Sequence, residues 1–137
     1  MPAKSSLTDL QLELMRVLWR RGEATVGDVQ RDLGATRGIA QSTVATLLRR
    51  LEAKGAVTHR SEGRSFIYSP ALVEGEVQRS VIGSITERLF TGDVPTVISH
   101  LLAERDVTRE ELAEVKAMIA AKEKALDDTG RGGTHER

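Results

Sequence analysis

The sequence predicts a mainly α fold with one small β-hairpin, a winged helix-turn-helix followed by a C-terminal helical dimerisation region. Three observations predict it. Three short helical patterns, each with its own start or stop signals, run from Thr8 to Gly55; a stretch of strand period follows as far as Pro70; helical period then returns up to Leu126. At 137 residues the chain has room for one ordinary domain, or for a small domain with an appendage.

The first helix opens at Thr8, whose hydroxyl can cap it while Gln11 reaches back from three residues on. Leu10, Leu14, Val17 and Leu18 then form one apolar stripe that ends near Gly22, with Trp19 beside it as a half-buried anchor. Thr25 with Asp28 makes a second capping box, and Val26, Val29 and Leu33 carry a second helix to Gly34. After the connector GATRGIA, a third helix over residues 40–54 places Val44, Leu47, Leu48 and Leu51 on one face. Lys54 and Gly55 supply its basic last turn and its left-handed cap. In AVTHRSEGRSFIYSP the period becomes two: Val57, Phe66, Ile67 and Tyr68 favour strand, SEG supplies the turn and Pro70 ends the pairing. A hairpin over residues 56–69, directly after the third helix, is the wing.

Beyond Pro70, Val77, Val81, Ile85 and Leu89 mark one helix, and Val94, Val97, Ile98, Leu101 and Leu102 a second, broken from the first by Gly92 and Pro95. A third begins at the capping box TREE and sets Leu112, Val115, Ile119 and Leu126 at heptad-like spacing, interrupted by Lys122. A short appendage cannot bury such stripes alone. Val77, Val81, Ile85, Leu89, Ile98, Leu101, Leu112, Val115 and Ile119 are therefore expected to meet a second copy in a two-fold homodimer. The expected division is residues 1–70 as a winged-helix domain able to fold alone, 71–126 as three dimerising helices, and 127–137, which lack any apolar residue, as a disordered tail.

Composition removes several functions. There is no cysteine, which excludes disulfides, thiol catalysis and thiolate metal sites, and only His59, His100 and His135 remain as soft ligands, so no metal or other cofactor is expected. No apolar run approaches the ~20 residues of a membrane helix, and MPAKSSLTD has no apolar signal region, so a cytoplasmic protein is expected. Four aromatic side chains in all, Trp19, Phe66, Tyr68 and Phe90, leave little material for base stacking.

The zero net charge hides a split: residues 1–70 hold 11 Lys and Arg against 7 Asp and Glu, and residues 71–137 hold 9 against 13. From Arg37 to Arg64 the bias is stronger still, with Arg37, Arg49, Arg50, Lys54, Arg60 and Arg64 against Glu52 and Glu62. Such a patch suits a polyanion. The outer face of the third helix carries Ser42, Thr46 and Arg49, with Arg50 on its flank, small hydroxyls and guanidinium groups where a solvated helix usually carries Glu and Lys. Small polar groups beside arginine fit close docking against a polar surface.

With this plan, the chain resembles the penicillinase repressor family, regulators of β-lactamase and methicillin-resistance genes. The carriers are LTDLQLELMRVLW at Leu7 to Trp19, TVATLLRRLEAKG at Thr43 to Gly55 and GRSFIYSP at Gly63 to Pro70. The resemblance implies a homodimer of winged-helix subunits that occupies inverted-repeat operators on double-stranded DNA and blocks transcription. Carried over by position, Thr43, Thr46, Arg49 and Arg50 resemble the family's DNA-facing helix residues and Gly63 and Arg64 its wing tip. With the neighbouring polar residues, Ser42, Thr43, Thr46 and Arg49 are expected to contact bases, and Gln41, Arg50, Lys54, Arg60, Gly63 and Arg64 the backbone. The chemistry agrees, since a threonine methyl can meet a thymine methyl and arginine can pair with guanine through two hydrogen bonds.

Two departures from the family pattern matter. One branch senses metal through C-terminal cysteines, which are absent here. Another is inactivated when a membrane protease cuts an Asn-Phe bond in the middle C-terminal helix, where this chain reads VISHLLAE, with His100 and Leu101 at the bond. That pair is the candidate proteolytic switch. Either a different regulatory protease or another signal is implied. An enzyme fails on inventory, because the histidines are scattered and there is no glycine-rich phosphate loop. The other rival is a winged-helix protein-interaction module without DNA binding, which should show large apolar or aromatic anchors on the third helix.

Overall fold

The structure is a computed structural model that describes residues 7–132, with the backbone alone described at 35, 36, 131 and 132. Local hydrogen-bond chemistry starts its first two helices. Thr8 Oγ1 accepts from the Gln11 amide and Gln11 Oε1 from the Thr8 amide, both at 3.1 Å, and α1 (Asp9–Arg21) follows. The same reciprocal pair between Thr25 and Asp28, at 3.0 and 3.1 Å, starts α2 (Val26–Arg37). Hydrogen bonding from Thr25, chiefly its backbone amide, holds the Asp28 carboxyl below the usual aspartate range. A depressed folded value stabilises above the unfolded pKa of about 3.9 and is lost as pH falls through the folded value, so this cap weakens only in acid. Thr25→Ala is expected to cost about 1 kcal/mol, read as a lower urea midpoint at neutral pH.

Helix α2 does not stop at Gly34. It continues to Arg37 because a helix interior tolerates glycine at a cost of about 1 kcal/mol, while the left-handed position falls on Gly38, at φ +63°. The third helix, α3, spans Gln41–Ala53, inside the expected 40–54. Gly55 at φ +83° lets the Ala56 amide reach the Leu51 carbonyl at 2.8 Å and its own amide reach Glu52 at 3.0 Å, which closes the helix end.

Strands β1 (Val57–Glu62) and β2 (Ser65–Pro70) pair antiparallel, from Val57 opposite Pro70 to Glu62 opposite Ser65. The turn is therefore Gly63–Arg64 and not SEG; Gly63, at φ +62°, takes the first central position, where a type II′ turn calls for glycine. Pro70 stays paired at the strand terminus. Ala24 adds a short bridge on the other edge of β2, exchanging two backbone hydrogen bonds of 2.8 and 2.9 Å with Tyr68. Leu14, Met15 and Leu18 of α1, Val29 of α2, Val44, Leu48 and Leu51 of α3 and Val57 of β1 fill the core. Gln11, the buried polar side chain among the described residues, also accepts from Lys54 Nζ at 2.9 Å, tying the start of α1 to the end of α3.

The boundary expected at Pro70 moves. Ala71 and Leu72 both bond back to the Ala56 carbonyl, the Trp19 indole donates to the Leu72 carbonyl at 2.8 Å, and Leu72 packs on the core. Helix α4 (Glu74–Phe90) therefore belongs to the first unit, and the chain divides into Met1–Gly92 and Asp93–Arg137. In the second unit Asp93 caps α5 (Val94–Glu104), and Thr108 with Glu111 caps α6 (Arg109–Gly132). The tail expected to be disordered from Asp127 is instead helical through Gly132. Extending an existing helix adds one hydrogen bond per residue and needs no burial, so a polar sequence can follow it. Residues 133–137 lie outside the described residues.

Candidate nucleic-acid interface

The buried face of α3 holds Val44, Leu47, Leu48 and Leu51. Its other face leaves Gln41, Ser42, Thr43, Arg49 and Arg50 exposed and Thr46 half-buried, so Thr43, close to the apolar stripe, is accessible at the helix start. Unlike α1 and α2, α3 has no side-chain cap, because residue 40 is alanine. Its first turn thus lacks an N-cap side chain, and backbone amides there favour an anion. Thr46 Oγ1 donates to the Ser42 carbonyl at 3.1 Å and accepts from Arg49 Nη2 at 3.2 Å.

The cations divide into two groups. Arg49, Arg50 and Arg64 form no ion pair among the described residues. Arg37, by contrast, is paired with Glu13, and Arg60 Nη2 lies 3.0 Å from both carboxylate oxygens of Glu23, with Nη1 3.4 Å from Glu62. Lys54 is exposed, with one of its three donors on Gln11. The electrostatic face is thus narrower than the charge run.

The hairpin and α3 are coupled through His59. Its Nδ1 lies 2.8 Å from Glu52 of α3, and its ring packs against Phe66 at 4.4 Å and Tyr68 at 5.4 Å. Burial, followed by the charge of Glu52, pushes the Tyr68 hydroxyl up from its ordinary value. At the wing tip Arg64 lines a cleft of about 420 Å³ with Gln41 and the first turn of α2 at Thr25, Val26 and Gly27. The structure thus brings Gln41 and Arg64 together, and separately Ser42, Thr46 and Arg49. Glu23 and Glu52, which hold Arg60 and His59, were not foreseen. Nothing in the local sequence around either carboxylate signals these pairings.

The apolar positions assigned to a partner subunit also separate. Val77 is only 5 % exposed and shares a groove of about 350 Å³ with Leu12, Arg16 and Trp19, so it is an internal contact of the first unit and not part of a subunit seam. Val81, Ile85, Leu89, Ile98, Leu101, Leu112 and Ile119 are exposed, Leu89 at 73 %, and Val115 is half-buried. The His100–Leu101 bond lies within α5. Among the described residues no cluster of three metal-ligating side chains occurs, and no helix is long and apolar enough to cross a membrane.

Comparison with known proteins finds a family model, described as penicillinase repressor, matching residues 7–121. The chain is 29 % identical over 113 residues to the penicillinase repressor of Bacillus licheniformis, covering 82 % of this chain and 88 % of that one. It is 31 % identical over 118 residues to the transcriptional regulator BlaI of Mycobacterium tuberculosis, covering 81 % and 86 %. Among solved structures, the DNA binding domain of the repressor BlaI in solution shares 34 % identity, covers 56 % of this chain and 93 % of its own, and superposes with a TM-score of 0.49.

Proposed function

Because the chain belongs to the penicillinase repressor family, we propose that it works as a homodimer that sets α3 into the major groove of each half of an inverted-repeat operator. It is a DNA-binding transcriptional repressor with a winged-helix fold, and the relatives it matches over most of their length are named as a repressor and a transcriptional regulator. The observation that carries the groove assignment is the outer face of α3: Ser42, Thr43, Thr46 and two arginines without carboxylate partners among the described residues, and no large apolar anchor. A protein-docking face would put aromatic or aliphatic side chains at its centre. Phe66, 48 % exposed on the wing, is instead packed against His59.

In this reading Ser42, Thr43 and Arg49 face base edges. Gln41, Arg50, Lys54, Gly63 and Arg64 follow the backbone, as the cleft shared by Gln41 and Arg64 and the uncapped start of α3 both favour. The exposed apolar side chains of α4, α5 and α6 supply the subunit seam. The repressor acts in the cytoplasm, where its operator is. Release from DNA follows either cleavage within α5 by a different protease or another signal; with His100 and Leu101 in place of Asn-Phe, the antibiotic-responsive protease is expected not to cut this chain.

Salt dependence tests the backbone contacts. Arg50→Ala and Arg64→Ala are each expected to weaken binding to all duplexes and to reduce the slope of log K against log salt by about 0.9. Arg60→Ala should change it less, because Glu23 and Glu62 already neutralise that guanidinium. An unchanged slope in the Arg50/Arg64 double variant would remove both residues from the interface.

A further inference from the structure

The hydroxyl of Thr46 is used twice: it donates to the Ser42 carbonyl at 3.1 Å and accepts from the Arg49 guanidinium at 3.2 Å. One hydroxyl offers a single donor, and here that donor is spent inside the helix. Threonine is also stiff at χ1, so its oxygen is a fixed anchor. Arg49 begins in the third turn of α3 and reaches back towards the helix start, the direction in which helical side chains lean. Recognition helices present their N-terminal residues to base edges. Held this way, the guanidinium stands closer to that end than its own Cα does, exposed and with no carboxylate partner among the described residues.

On the reading that α3 lies in the major groove, we propose that Thr46 is a positioning residue, whose hydroxyl aims Arg49 at a guanine, and that it does not itself read a base. A guanine offers O6 and N7 side by side, and two parallel N–H donors meet them only when the guanidinium plane is correctly oriented. Fixing that plane before binding reduces the freedom lost on pairing. The competing assignment uses the other substituent of Thr46, its methyl group, against a thymine methyl. Hydroxyl and methyl can be removed separately.

The test uses the full chain and a duplex that the wild type selects from a random pool, with every single-base variant of it. Arg49→Ala should mark the position read by Arg49, where discrimination falls roughly 5- to 150-fold. Thr46→Val keeps shape and methyl but not the hydroxyl, and should lose discrimination at that same position. Thr46→Ser keeps the hydroxyl and should retain it. Adding Thr46→Val to Arg49→Ala should change nothing further, since a residue acting through another has no effect once that other is gone. Should valine disturb the helix, the serine variant still decides. Loss of discrimination in Thr46→Ser, at a position other than that of Arg49, would overturn the proposal in favour of a methyl contact, and so would additive losses in the double variant. A wild-type chain that enriches no duplex would instead overturn the groove assignment, and the proposal with it.

Discussion

A chain ending at Gly92 is expected to keep its fold and to bind an operator about 10²–10⁴-fold more weakly than the full chain. The fold survives because the cut falls at the division between the two units, after Leu72 and Val77 have been buried. Affinity falls because two linked half-site contacts act through a high effective concentration, whereas an isolated unit must bind each half-site on its own. A cut at Pro70 would be a poorer test, since it removes the carbonyl that accepts from Trp19 and the segment that covers it. Ile119→Asp in the full chain provides a second route to the same result: in a subunit seam the new carboxylate would be buried without a partner. Both variants should sediment as monomers or as a weakened dimer. Full operator affinity in both would remove α5 and α6 from the seam and leave it to the exposed Val81, Ile85 and Leu89 of α4.

Leu48→Ala is expected to destabilise the first unit by about 2–5 kcal/mol, a large share of the roughly 5–15 kcal/mol that holds a domain together. Leu48 is fully buried within the cluster that joins α1, α2, α3 and β1, so truncation leaves a cavity and not merely a changed surface. Helix α3 depends on that cluster directly, because Val44, Leu47, Leu48 and Leu51 are its only buried side chains. Operator binding should therefore disappear along with the folded signal in chemical denaturation. Met118→Ala, at a side chain 64 % exposed on α6, is the control and should move stability by no more than about 0.5 kcal/mol. Equal destabilisation by the two would contradict the placement of the core.

Much of the first unit is legible in the sequence because its determinants are local. The Thr8–Gln11 and Thr25–Asp28 boxes span three residues each, and the stripe Val44, Leu47, Leu48, Leu51 repeats within one helix. What sequence reading misplaces depends on distant or collective facts. The Arg60–Glu23 pair joins residues 37 apart, and the Trp19–Leu72 bond that assigns the start of α4 to the first unit joins residues 53 apart. Val77 looks like a seam position by helical period, yet only the packing of α4 reveals that it is already buried. The turn shifts from SEG to Gly63–Arg64 because register is set along the whole hairpin, through six paired positions, and not by turn residues alone. On the candidate interface, residue type identifies the face of α3, but the distinction between paired and unpaired arginines requires coordinates.

Selection of duplexes from a random pool by the full chain, followed by footprinting of the enriched sequence, tests whether a dimer reads an inverted repeat. The expected result is an enriched inverted repeat whose half-sites are spaced by roughly one helical turn, 10–10.5 base pairs, or a multiple of it, with one dimer protecting both. An enriched sequence without symmetry, protected by a single subunit, or no enrichment at all, would contradict it.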